Sequence, residues 1–245
     1  MYKYFVVCAA IFGFISCSND QQNVNIQRGL QKDTSMKASS VLFAAPQIID
    51  SSHLVIYPLI LEKTNSGIGF SSGYSSDRLS YWNLIFYNTE NKSQHLLVEN
   101  KKIVIYTIRN DQNSSESHRG FNSGINLFKD NIFYEAVSND YNQNNYLENT
   151  DPTYLFISDK KGNNFRQLSP DNYHVLSWQI VMGTSKVIME AQKDVNGDKK
   201  FDQNDPVIPL IVDISTGKMA SEIFDENYLD SLKSNLTNTW KMNKK

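Results

Sequence analysis

The stretch DVNGDKKFDQND, from Asp194 to Asp205, sets side-chain oxygens at positions 1, 3, 5, 9 and 12 of a twelve-residue window. Oxygens at that spacing can wrap a hard cation, since calcium takes about six to eight oxygen ligands at roughly 2.3–2.6 Å. Asp194, Asn196 and Asp198 hold the alternate positions. Lys200 would give its backbone carbonyl, Asp202 a direct or water-mediated contact, and Asp205 would close the shell. Phe201 at position 8 is expected to point away and anchor the loop to the core. A second window, 54 residues earlier and without a gap, repeats the pattern with Asp140, Asn142, Asn144, the Tyr146 carbonyl, Glu148 and Asp151. The cofactor expected is a structural calcium ion. The second loop, with acids at positions 1, 5 and 12, is the better candidate; the first has amides at positions 3 and 5. For both, the alternative is a solvated Asn/Asp turn.

The flanks of the two windows also repeat. NIFYEAVSN and KVIMEAQK precede them, and TYLFISDKKGNNFRQLS and VIPLIVDISTGKMASEIF follow. Each second flank runs apolar strand, Asp (Asp159, Asp213), Gly turn (Gly162, Gly217), second strand. HLVIYPLILE and WNLIFYNTENKSQHLL give a fainter third copy without the oxygen pattern, interrupted by a Gly/Ser-rich insertion from Thr64 to Ser80. Short runs rich in Ile, Val, Tyr and Phe between Asn/Asp/Gly turns are strand and hairpin signals. HVLSWQIVMG and KKIVIYTIRN would open further units. The fold class expected is all-β, in units of four antiparallel strands spanning about 38–98, 101–169 and 174–224.

YLFISDKKGNNFRQLSPDN resembles the TolB-type, WD40-like propeller repeat, in which a strand, an Asp, a Lys/Gly turn and Arg-Gln-Leu-Ser/Thr-Pro-Asp recur. The resemblance covers most of residues 80–224 and implies a β-propeller-like array of three to four blades, with scaffolding and protein contact as its use. It departs in unit count, since propellers have about four to eight blades. The acidic windows resemble the EF-hand loop, and more closely its dockerin variant, where Asp also stands last. Two departures follow: the usual Gly at position 6 is Lys199 in one loop and Asn145 in the other, and the flanks are strands.

The N-terminus, MYKYFVVCAAIFGFISC, has Lys3 and then an apolar run from Tyr4 to Ile15. It is too short to span a bilayer as a helix, which takes about 20 residues, and reads as a leader. Phe14-Ile15-Ser16-Cys17 resembles the bacterial lipobox. That implies loss of residues 1–16, acylation of Cys17 and a membrane anchor, with Ser18 compatible with the outer membrane. Residues 17–37 then form the acylated cysteine and a polar tether. With Cys8 removed and Cys17 lipidated, no thiol, disulfide or cysteine metal site remains. Residues 225–245 change to helical spacing at Tyr228, Leu229, Leu232 and Leu236, with Asp225 as cap. An amphipathic helix packed on the β domain is expected.

The formal charge of −2, with no basic stripe, gives a nucleic-acid partner no electrostatic support. His53, His95, His118 and His174 lack partners at metal spacing, and no nucleophile elbow or P-loop occurs. Tyr74, Tyr81 and Trp82 could stack on a sugar or peptide, although residues of this kind more often fill unit interfaces. Two functions remain. One is a non-enzymatic envelope lipoprotein that binds a protein or glycan through a calcium-stabilised repeat surface. The other is a glycan- or peptide-directed hydrolase or lyase with acids converging on one face.

Overall fold

The computed structural model describes residues 41–49, 53–61, 79–110 and 127–240. Cys17 with the leader and tether, Tyr74 and His118 lie outside them. No helix among the described residues is long and apolar enough to cross a membrane.

Among the described residues, twelve strands follow one another as three quartets. The first holds β1 (Gln47–Ile49), β2 (Leu54–Ile60), β3 (Tyr81–Asn88) and β4 (Gln94–Leu96). The second holds β5 (Val104–Arg109), β6 (Asn131–Val137), β7 (Tyr154–Asp159) and β8 (Arg166–Gln167), with a one-turn helix, α1 (Leu127–Asp130), before β6. The third holds β9 (Tyr173–Val181), β10 (Lys186–Lys193), β11 (Val207–Asp213) and β12 (Ser221–Glu222). Within each quartet every strand pairs antiparallel with the next. A single pairing, Tyr81 with Ile105, joins the first two quartets into one open sheet, and the third forms a separate sheet. The chain is therefore mainly β and antiparallel, as its turn-punctuated apolar runs predict.

The turn between third and fourth strand is built alike each time. Asn88, Asp159 and Asp213 end the third strands, and their side-chain oxygens accept from Glu90, Lys161 and Ser215 N–H at 2.9, 2.8 and 3.0 Å. Each turn closes on a residue at positive φ: Lys92, Gly162 or Gly217. A short polar side chain that bonds the backbone two residues on stabilises such a turn locally. That explains why the three segments share a sequence pattern.

Alternation along the strands builds two cores at once. In the second quartet Ile132, Tyr134, Ala136, Tyr154 and Phe156 face the first quartet, meeting Ile56, Leu84 and Phe86. Their chain neighbours Phe133, Leu155 and Ile157 face the third, meeting Val187, Met189 and Leu210. A polar joint accompanies the second contact. Glu135 accepts from Trp178 Nε1 at 2.8 Å and from Thr107 Oγ1 at 3.0 Å, and pairs with Arg109 at 3.3 Å. The Arg109 guanidinium lies 4.9 Å from the centre of the Trp178 ring, and Trp178 stacks on Phe133. Half-buried Glu135 is thus compensated from two quartets.

The C-terminal helix forms where the spacing places it, as α2 (Glu226–Trp240), with Asp225 Oδ1 accepting from Tyr228 N–H at 2.8 Å. It does not pack on the β domain as expected. None of its residues is buried, and Leu232 and Leu236 are 44% and 49% exposed. Periodicity fixes which side of a helix is apolar, not what that side meets. Strand β12, from which α2 leaves, is two residues long and exposed, so it offers no apolar bed.

Gly162 tests the packing between quartets. It sits at φ +78°, and a Cβ there would lie 2.6 Å from the Phe86 ring. Gly183 has a similar φ of +72° and nothing within 4 Å. Gly183→Ala is expected to cost about 1 kcal/mol from backbone strain alone. Gly162→Ala should cost about 1–3 kcal/mol more, as Phe86 is displaced from the core. Denaturant midpoints of the two variants check this difference.

Candidate functional site: two equivalent acidic loops

The two acidic windows connect the second and third strands of their quartets, β6 to β7 and β10 to β11. They share an internal hydrogen-bond pattern. At position 12, Asp151 accepts from Tyr141 and Glu148 N–H at 2.9 and 3.0 Å, and Asp205 from Val195 and Asp202 N–H at 3.3 and 3.2 Å. These donors are positions 2 and 9 in each loop. At position 1, Asp140 Oδ2 accepts from Asn145 N–H at 2.7 Å and Asp194 Oδ2 from Lys199 N–H at 3.2 Å, position 6 both times. Position 3 accepts from position 5: Asn142 from Asn144, and Asn196 from Asp198. Position 5 accepts from position 7: Asn144 from Tyr146, and Asp198 from Lys200. The acids at position 9 differ, with Glu148 accepting from Asn144 Nδ2 and Thr150, and Asp202 from Asn204 N–H.

The backbone repeats as well. Positions 4 and 6 have positive φ in both loops: Gln143 at 61° and Asn145 at 70°, Gly197 at 73° and Lys199 at 64°. A lysine in the left-handed region costs about 1–2 kcal/mol, and the position-1 carboxylate bonding its N–H offsets part of this. So the residue that most departs from the EF-hand pattern takes the conformation that pattern requires at position 6.

Burial concentrates on the carboxylates that end the loops. Asp151, Asp194 and Asp205 are buried, whereas Asn144, Asn196, Asp198 and Asp202 are exposed. Burial raises the Asp151 pKa, against three backbone N–H groups that lower it. No Lys or Arg among the described residues forms an ion pair with a loop carboxylate. The donor set is oxygen only, which suits a hard cation such as calcium. A carboxylate offers about four lone-pair sites, so two or three N–H or O–H donors leave acceptor capacity on Asp194 and Asp205. Among the described residues, no group of three or more His, Cys, Asp or Glu side chains is gathered around a metal-sized point.

The loops also touch one another. The Tyr141 hydroxyl, at position 2 of the first loop, donates to Asp194 Oδ2 of the second at 3.0 Å. Its ring lies 5.4 Å from Phe201, and Phe201 lies 5.6 Å from His174. Phe201 therefore anchors its loop to the neighbouring loop, not to either buried core as expected. His174 Nδ1 accepts from Thr153 N–H at 2.9 Å, and burial lowers its pKa, which keeps the imidazole neutral and able to accept. The sequence marks His174 only as a lone strand residue. Tyr106, also unmarked, brings a buried hydroxyl near Asp151 and Glu148 that finds no hydrogen-bond partner among the described residues; burial first, then those charges, push its pKa up to about 12.

The remaining candidates are dispersed. Tyr81 packs against the core between the first two quartets, and Trp82 is half-buried. His53 is exposed, and His95 stacks on Phe86. No protein-family model matches the chain, and no curated protein is significantly similar to it. Its chemistry is therefore argued from these residues alone.

Burial, the hydrogen bond to Asp194, and the charges of Asp194 and Asp205 push the Tyr141 phenol up to about 12. An unfolded tyrosine titrates near 10. The folded chain then holds more protons than the unfolded one between these values, so stability falls as pH rises through that window. Tyr141→Phe is expected to flatten part of the fall and to cost about 1 kcal/mol at neutral pH. Urea midpoints of both chains from pH 7 to about 12 read both effects.

Proposed function

We propose that this chain is a non-enzymatic lipoprotein of the bacterial cell envelope, held at the outer membrane through Cys17. Its β-repeat module is propeller-like, stabilised by calcium, and binds a protein or glycan partner. The observation that carries the calcium part is the equivalence of the loops. The two segments take the same turns, place positive φ at the same positions and both bury the position-12 carboxylate, Asp151 or Asp205; Asp194 at position 1 is buried and its counterpart Asp140 half-buried. Asp194, Asn196, Asp198, Asp202 and Asp205, with the Lys200 carbonyl, would hold one ion. Asp140, Asn142, Asn144, Glu148 and Asp151, with the Tyr146 carbonyl, would hold a second, weaker one. The bound ion would neutralise buried anions that no Lys or Arg among the described residues pairs with, which is costly to leave uncompensated.

The propeller-like part draws on three consecutive quartets with one turn design and face-to-face packing. The anchor draws on the lipobox resemblance. Several acyl chains hold firmly, because each buried methylene contributes about 0.8 kcal/mol.

Thermal unfolding with EDTA and with millimolar calcium tests the ion. A ligand that binds only the folded state adds about 2.7 kcal/mol at a hundredfold excess over Kd. Calcium is expected to raise the wild-type midpoint by several degrees and to raise that of Asp194→Ala/Asp198→Ala far less, through the weaker first loop alone. Identical melts in EDTA and calcium would make the loops ordinary turns. The anchor is tested separately by labelling cells with radioactive palmitate. Label should enter the wild type and be lost in Cys17→Ser, which should also retain residues 1–16.

A further inference from the structure

Packing between quartets has a direction. Aligned on Asn88, Asp159 and Asp213, the third strands give each quartet one trailing face and one leading face. Leu84 and Phe86, Leu155 and Ile157, and Pro209 and Ile211 are equivalent trailing residues. Ile85, Phe156 and Leu210 are equivalent leading residues. Inside the chain the contact is the same twice. The trailing face of the first quartet meets the leading face of the second, and the trailing face of the second meets the leading face of the third.

Two faces are left over, one at each end. The leading face of the first quartet carries Tyr57, Ile85 and Tyr87, all half-buried, beside Phe43, which is 54% exposed. These residues line an open cavity of about 760 Å³. The trailing face of the third quartet carries half-buried Ile188, Pro209 and Ile211 beside exposed Glu190, Ser177 and Gln179. The corresponding residues of the middle quartet, Phe133, Leu155 and Ile157, are at most 4% exposed. Repeat arrays that stop as monomers end on polar capping faces, whereas the leading face here is aromatic and the trailing face keeps an apolar centre of Ile188, Pro209 and Ile211.

Glu190 gives a second, independent sign. It stands before a buried alanine, Ala191, as Glu135 stands before Ala136. Glu135 accepts a hydroxyl from its own quartet, Thr107, and Glu190 likewise accepts from Ser177 at 2.9 Å. Glu135 also takes an indole N–H from the following quartet, Trp178. Glu190 has no such donor among the described residues. The third quartet thus repeats the acceptor side of a joint whose donor side is missing.

We propose that a second copy of this chain fills both ends. The leading face of each copy's first quartet packs on the trailing face of the other copy's third, and a twofold axis makes both contacts at once. A head-to-tail contact either closes or polymerises. Closure gives six quartets, within the roughly four to eight of propellers, and for that closure the proposal rests on the propeller-like reading above.

Light scattering on the detergent-solubilised full chain, with the micelle mass subtracted, reads the assembly. Wild type is expected at twice the chain mass. Tyr57→Glu/Tyr87→Glu spoils the leading face and Ile188→Glu/Ile211→Glu the trailing face, and each alone breaks both contacts, giving single chains. Mixed in equal amounts, the two variants keep one intact contact and should pair again, which general surface stickiness would not produce. Circular dichroism establishes that each variant keeps the β fold. If one does not, Glu190→Arg, at an exposed position, replaces it and should loosen the dimer about tenfold, the effect of a lost charged contact in an interface. A monomeric wild type, a dimer that survives either face variant, folded variants that do not complement, or open-ended polymers each overturn the proposal. The calcium melts decide the ion reading independently of this mass.

Discussion

The central strand of the middle quartet, β6, is buried on both sides, and the rest of the molecule depends on that. Six consecutive residues of β6, from Ile132 to Val137, are buried except for Glu135, and their side chains alternate between two cores. A strand in this position cannot slip by one residue, because the slip would exchange the contents of both cores. Burying side chains of this size contributes about 1.5–3 kcal/mol each, so the second quartet fixes the register of the chain on either side. Glu135 is the one polar interruption, and it is held by a hydroxyl, an indole N–H and a guanidinium. An unpaired carboxylate there would cost several kcal/mol.

The acidic loops hang from this frame. Each leaves its quartet where β6 or β10 ends and returns at β7 or β11, so the strand register sets how far apart the loop ends lie. Within that span the backbone N–H groups have no ladder to join, and the Asp and Asn side chains take them instead. The two loops thus solve one accounting problem in one way, and the cost of positive φ at Lys199 is offset in part by the Asp194 carboxylate. Stacking of the second and third quartets then brings position 2 of one loop against position 1 of the other.

Parts of this were legible without coordinates. The antiparallel strands and the turns between them follow from apolar runs and Asx signals, because both are local: alternation is a property of neighbouring residues, and an Asn or Asp side chain reaches only two residues on. The oxygen spacing of the loops is local for the same reason, as is α2, whose cap and periodicity lie within one segment. The exposure of α2 was not legible. A leucine stripe asks for cover but does not name it, and the adjacent edge strand supplies none.

What the sequence by itself determined was therefore the mainly β, antiparallel class, the oxygen spacing of the paired acidic windows and the position of the helix. What only the tertiary structure decided was every contact between units: Phe201 on Tyr141 and not in a core, His174 as an acceptor, Trp178 on Glu135, and the two faces that meet no other quartet. Strand alternation states that a residue faces one side of its sheet. Which other sheet lies on that side is set by the order in which the quartets stack, and that order involves residues more than forty positions apart, such as Glu135 and Trp178.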